Sequence, residues 1–97
     1  MTYDPTNPLI VQSDRTVLLE TDNEQFEEAR DALSKFAELV KSPEHIHTYQ
    51  ITELSLWNAA ALEYRPGEVK EELRTYSKYE VPEGLLEDID DFMSRYG

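Results

Sequence analysis

The stretch LIVQSDRTVLLETDNEQFEEARDALSKFAELV, Leu9 to Val40, changes its hydrophobic period part-way along, and that change decides the fold class. Leu9-Ile10-Val11 and Val17-Leu18-Leu19 are short apolar runs rich in strand formers, separated by the polar QSDRT. Two paired antiparallel strands are the simplest reading, because such side chains suit a pleated, half-buried surface. Beyond them the period lengthens. Thr21 offers an N-cap with Glu24 three residues on, and Phe26, Ala29, Leu33, Phe36, Ala37 and Val40 then share one face at 3.6-residue spacing. A hairpin followed by a helix over about Asn23 to Val40 is expected.

Upstream, the first eight residues hold Pro5 and Pro8 with little apolar content, so residues 1–8 read as an extended lead-in. Downstream, Ser42-Pro43 is expected to stop the helix, since Pro43 lacks an N–H and disfavours helix at the residue before it. Ile46, Thr48, Tyr49 and Ile51 then favour a short strand. Thr52 can cap LSLWNAAAL, which is apolar nearly all round and is expected to be a helix buried against several neighbours, with Trp57 as its core anchor. Pro66 suits the first turn of a further helix carrying Val69, Leu73 and Tyr76, and Pro82 opens a last one with Leu85, Leu86, Ile89, Phe92 and Met93. The expected fold is α+β: an N-terminal β-hairpin, a helix, a short strand, then three helices, with a small sheet packed on helices. Residues 9–97 form one domain in this reading.

Composition narrows the function. The 97 residues are 39% apolar, too hydrophobic and too well patterned for a disordered acidic tail. The absence of Cys excludes a disulfide framework and a thiolate metal site. No apolar run approaches the roughly 18 residues of a membrane span, and MTYDPTNP lacks the basic-then-apolar order of a secretory signal. An intracellular protein is expected, cytoplasmic in a prokaryote or nuclear in a eukaryote. A net charge of −12 repels phosphate backbones, whereas nucleic-acid binding draws on Lys and Arg contacts to phosphate. Direct DNA binding by this domain alone is not expected.

Residue patterns for catalysis are equally sparse. A P-loop needs a glycine-rich turn followed by Lys and Ser or Thr, yet Gly67, Gly84 and Gly97 are the only glycines and none stands beside a Lys. No Ser or Thr sits in a GxSxG elbow. His45 and His47 alternate in the expected strand and offer two metal nitrogens, with Glu44 or Glu53 needed to complete a site; packing beside the strand is the favoured role. Glu87, Asp88, Asp90 and Asp91 lack the loop of an EF-hand. They belong to a run from Glu80 to Asp91 with six acids and no Lys or Arg, which reads as a solvated helix face or as a docking surface for a basic partner. Trp57, Phe26, Phe36 and Phe92 are explained by packing rather than base stacking, because no basic groove accompanies them. No catalytic, cofactor-binding or metal-binding residue is assigned.

Taken in order, Pro8-Leu9-Ile10-Val11, LLE at Leu18 to Glu20, SPEHIHTYQIT from Ser42 to Thr52, SLWNAAA from Ser55 to Ala61, VPEG from Val81 to Gly84 and SRYG from Ser94 to Gly97 resemble the landmarks of the domain that precedes the motor in XPB-type DNA helicases. The resemblance spans nearly the whole chain from Pro8 onward. It implies a parent that is an ATP-dependent superfamily 2 helicase of 3′ to 5′ polarity, associated with nucleotide excision repair, and it places ATP and Mg with that parent. Both motor lobes are absent from this sequence, so no catalytic residue of the family carries over. Relatives continue into a further strand after the position of Gly97, and without it a sheet edge is expected to lie open.

The role implied is docking of a protein partner or of the helicase's own motor lobes, or restraint of the motor; the family's domain is similar to one in a TFIIH partner subunit. The candidate interface comprises Leu9, Ile10, Val11, Val17, Leu18 and Leu19 of the hairpin, together with Glu87, Asp88, Asp90 and Asp91. A homodimer through the hairpin is a further expectation. The alternative is a free-standing acidic adaptor that binds a basic protein surface.

Overall fold

In the computed structural model, residues 5–42 and 44–95 are described. They form strands β1 (Leu9–Val11), β2 (Thr16–Glu20), β3 (Glu38–Lys41) and β4 (Ile46–Gln50), and helices α1 (Phe26–Phe36), α2 (Glu53–Ala61), α3 (Pro66–Tyr76) and α4 (Glu83–Ser94). The strands make one antiparallel sheet in the order β1-β2-β4-β3. The fold is α+β, as read from the sequence, with one strand more.

Alternation decides which face of the sheet is buried. Successive strand side chains point to opposite faces, and Leu9, Val11, Val17, Leu19 and Tyr49 are buried while Ile10, Leu18 and Thr48 are only half-buried. The buried row meets Ala29, Leu33 and Phe36 of α1, Leu56 and Ala59 of α2, Val69 and Leu73 of α3, and Leu85 and Ile89 of α4 in a single core. All the helices therefore stack on one side.

The hairpin turn runs from Gln12 to Arg15. Gln12 N donates to Thr16 O at 2.8 Å, Arg15 N to Gln12 O at 3.1 Å, and Thr16 N to the Asp14 carboxylate at 3.0 Å. Arg15 takes a positive φ of 71°, a left-handed conformation that costs a residue with a Cβ. β1 is not open on its outer side: a parallel bridge joins Leu9 to Ser77, Lys78 N donates to Leu9 O at 2.6 Å, and the Asn7 amide donates to Ser77 O at 2.9 Å. Asn7 and Pro8, placed in the lead-in by sequence, are thus buried.

The expected helix over Asn23 to Val40 is corrected at both ends. Thr21 does not cap it, because its hydroxyl donates to Glu44 O and His45 O instead. The Asn23 side chain accepts from Gln25 N at 2.8 Å, closing a local turn, and α1 starts at Phe26. At the other end Ala37 is extended (φ −140°, ψ 154°), and Glu38–Lys41 pairs with β4. The sheet supplies backbone partners that a helix's last turn leaves unmade, and Leu39 and Val40 suit a strand at least as well as a helix. Pro43, the expected stop, lies outside the described residues, as do Tyr96 and Gly97 of SRYG.

Helix α2 starts where expected. The Thr52 hydroxyl accepts from Ser55 N at 3.0 Å, and the Ser55 hydroxyl accepts from Thr52 N at 2.8 Å, a reciprocal capping box. Its burial differs from the expectation: only Ser55, Leu56 and Ala59 are buried, and Leu54 and Leu62 are exposed. Trp57 is half-buried rather than central to the core, and its indole N–H donates to Phe92 O in the last turn of α4 at 2.9 Å. The helix ends in a Schellman turn, with Tyr64 N bonded to Ala59 O, Glu63 N to Ala60 O, and Glu63 at φ 67°. Pro66 stands at the first position of α3, as its sequence position implied.

Candidate interaction surface

The hairpin divides its six candidate residues between two faces. Leu9, Val11, Val17 and Leu19 point into the core and are committed to this domain's own stability. Ile10 and Leu18 are directly paired across the strands and project from the helix-free side. Thr48 stands beside Leu18 on β4, and Thr16 and Gln50 form the adjacent row, joined by a 3.3 Å hydrogen bond. Ile46, exposed, lies opposite Glu20 on this same face. The result is a mixed patch of aliphatic, hydroxyl, amide and carboxylate groups on the side of the sheet away from the described helices.

The acidic run of α4 is less uniform in space than in sequence. Asp88 accepts from Arg15 Nη1 at 3.0 Å, Asp90 from Lys70 Nζ at 2.8 Å, and Asp91 lies 2.9 Å from Arg95 Nη2. Only Glu87 among the four candidates has no ion pair with another described residue. The cations come from the hairpin turn, from α3 and from the end of α4, so a reading confined to residues 80–91 could not anticipate them.

His45 and His47 do not act together. His45 is exposed, with Nδ1 3.5 Å from Asp22 Oδ2, while His47 is half-buried and meets the Phe26 ring edge-on at 5.5 Å. Glu53 lies at the start of α2, 3.9 Å from Arg95. Among the described residues no group of three or more His, Cys, Asp or Glu is placed to hold a metal ion. A shallow depression of about 320 Å³ is lined by Glu20, Asp22, Asn23, His45 and Ile46. Glu20 there is held by Lys78 at 2.7 Å, and the lining lacks the apolar walls typical of a small-molecule site. Elsewhere, burial pushes the Glu72 carboxyl above the ordinary glutamate range, with nearby Lys35 opposing the shift. No helix among the described residues is long and apolar enough to cross a membrane.

One surface was missed from the sequence. β3 is exposed along its length, with Leu39 at 53% and Val40 at 55% exposure. Its helical spacing after Phe36 hid it; the signal available was the Leu-Val pair flanked by charges, ELVK.

A family profile described as "Helicase conserved C-terminal domain" matches residues 9–97, which takes in every strand and helix named above. The chain belongs to that family. Among curated proteins, this helicase domain is 57% identical over 90 residues to the DNA 3′-5′ helicase XPB of Mycobacterium tuberculosis, and 49% identical over 90 residues to that of Kineococcus radiotolerans. Each match takes in 93% of this chain and 16% of the relative. A more distant match, 38% identical over 80 residues, is the general transcription and DNA repair factor IIH helicase/translocase subunit XPB of Drosophila melanogaster, 10% of whose length is covered. The helicase domain thus spans about a sixth or less of the relatives it matches.

Proposed function

We propose that this chain is a non-catalytic interaction and regulatory domain of an XPB-type helicase polypeptide, placed ahead of the motor lobes, which docks the motor lobes or a protein partner through its helix-free sheet face. The family's description speaks of a C-terminal helicase domain; the resemblance of the landmarks from Pro8 to Gly97 to the domain that precedes the motor in XPB-type helicases is what favours the N-terminal placement. ATP and Mg belong, in this reading, to the motor lobes of the parent, whose 3′ to 5′ helicase activity in excision repair this domain modulates. DNA contact is left to the parent as well, in keeping with the −12 charge.

The observation that carries the reading is the cross-strand pair Ile10 and Leu18, half-buried on the sheet face away from the core that the described helices cover. Burying an unpaired ammonium in an apolar contact is costly, so Lys at either position penalises docking while leaving the core row untouched. The test is a titration of the 97-residue chain into the separately produced motor lobes of the same helicase, followed by calorimetry. Saturable binding that Ile10→Lys and Leu18→Lys abolish, with unchanged circular dichroism, is expected. Binding by both folded variants at parental affinity rejects the face.

A free-standing acidic adaptor is the second reading, favoured by the same net charge. A reading frame that continues into motor lobes excludes it.

A further inference from the structure

We propose that the edge of β3 pairs with the same edge of a second copy of this chain, extending the sheet across a two-fold axis. The inference rests on the strand edge, whose Glu38 and Lys41 side chains border the sheet face assigned to docking above.

Of the two outer edges of the sheet, that of β1 is occupied by the Ser77 bridge and the Lys78 N–H. The outer edge of β3 faces no strand among the described residues, and its backbone groups are available for strand addition. Two exposed aliphatic side chains, Leu39 and Val40, sit at its middle. That arrangement alone does not choose an occupant.

The register does. Glu38 pairs with Gln50 and Lys41 with Thr48, and the register shifts between Leu39 and Lys41. Gln50 and Thr48 are two apart on β4 and so share a face, which places Glu38 and Lys41 on that face too, although they are three apart in sequence. An unbroken strand would have sent them to opposite faces. A two-fold dimer has an isologous contact, in which residue i meets j and j meets i. With the axis normal to the sheet and passing between Leu39 and Val40, Glu38 lies opposite Lys41 of the second copy, and Leu39 opposite Val40, each pair occurring twice. ELVK is thus complementary to itself in charge and in hydrophobicity when run antiparallel. Lys41 has no ion-pair partner among the described residues, in a chain where acids outnumber Lys and Arg by 21 to 9.

Two copies of charge −12 repel, so the contact is expected to strengthen with salt as screening shortens the Debye length to about 8 Å at physiological ionic strength. A basic partner at the same edge gives the opposite salt dependence. A four-residue edge covers less than the roughly 1,000 Å² of a stable interface, so a dissociation constant on the order of 0.1–1 mM is expected.

The experiment is sedimentation equilibrium of the 97-residue chain up to about that concentration range, with amide shifts followed by NMR. Expected are a mass that rises towards the dimer, more so in 0.5 M than in about 0.05 M salt, and shifts centred on residues 38–41. Glu38→Lys or Lys41→Glu alone should weaken association about tenfold, since each sets like charges opposite one another twice, and the double variant should restore it. Glu38 also accepts the Thr52 hydroxyl at 2.8 Å, so each variant is checked by thermal melting; Lys41→Glu keeps the single-variant arm readable if Glu38→Lys melts early. A monomeric mass throughout, shifts confined to other residues, or folded single variants that associate like the parent overturns the proposal.

Discussion

Arg15 in the hairpin turn and Asp88 on α4, 73 positions apart, meet at 3.0 Å, and the same guanidinium lies 5.5 Å from the centre of the Phe92 ring. One side chain therefore ties the first supersecondary unit to the last helix. Its backbone pays for this position with a left-handed φ, yet its carbonyl is also used, accepting from Ile51 N at 2.9 Å.

Both partners are about two-fifths exposed, which limits the ion pair to under about 1 kcal/mol. The cation–π contact adds about 0.5–1 kcal/mol. Arg15→Ala is expected to destabilise by about 1–2 kcal/mol, and Arg15→Gly by less, because glycine recovers the left-handed cost. Urea denaturation of both variants and Asp88→Asn, read as a double-mutant cycle, checks the coupling.

Trp57 is held by its N–H as well as by its area. Trp57→Phe should cost about 1 kcal/mol for the lost bond to Phe92 O. Trp57→Ala should cost about 2–3 kcal/mol, less than truncation of the fully buried Leu33 at about 3–5 kcal/mol. Equal losses at Trp57 and Leu33 in chemical denaturation would contradict the half-buried placement.

These positions also show what the sequence could disclose. The hairpin, the Thr52 cap and Pro66 at the start of α3 were legible because each depends on residues within a few positions of itself. The end of α1 was not. Val40 continues the helical period of Phe36, and only the distant β4 makes a strand the better partner. Likewise, Ile10 and Leu18 could not be separated from Leu9 and Leu19 until the helices were placed on one face. The neutralisation of Asp88, Asp90 and Asp91 depends on Arg15, Lys70 and Arg95, two of which lie outside the acidic segment's own helix.

Glu63 closes the Schellman turn after α2 with a left-handed backbone, a conformation that glycine adopts without steric cost. Its Cβ is the source of the strain. Glu63→Gly is expected to raise stability by about 1 kcal/mol, seen as a higher melting temperature.

Glu72 sets a pH dependence. Burial raises its carboxyl above the ordinary glutamate value, and one of its oxygens, Oε2, is buried without a hydrogen bond. The folded state therefore favours the proton more than the unfolded state does. Its contribution is most favourable below the ordinary carboxylate range, declines as pH rises between the unfolded and folded values, and is constant above both. Glu72→Gln should melt higher than the parent at neutral pH, and the difference should vanish in acid. Melting curves at several pH values read this directly.

The Leu9–Ser77 bridge also bears on synthesis. A nascent chain holding only the hairpin and α1 can neither give Leu9 O its Lys78 partner nor bury Asn7 against Ser77. β1 must wait for the residues after α3, and contacts of such sequence separation slow folding. Until they arrive, β1 keeps a bare edge, so this hairpin depends on residues some 70 positions downstream for protection from misassembly.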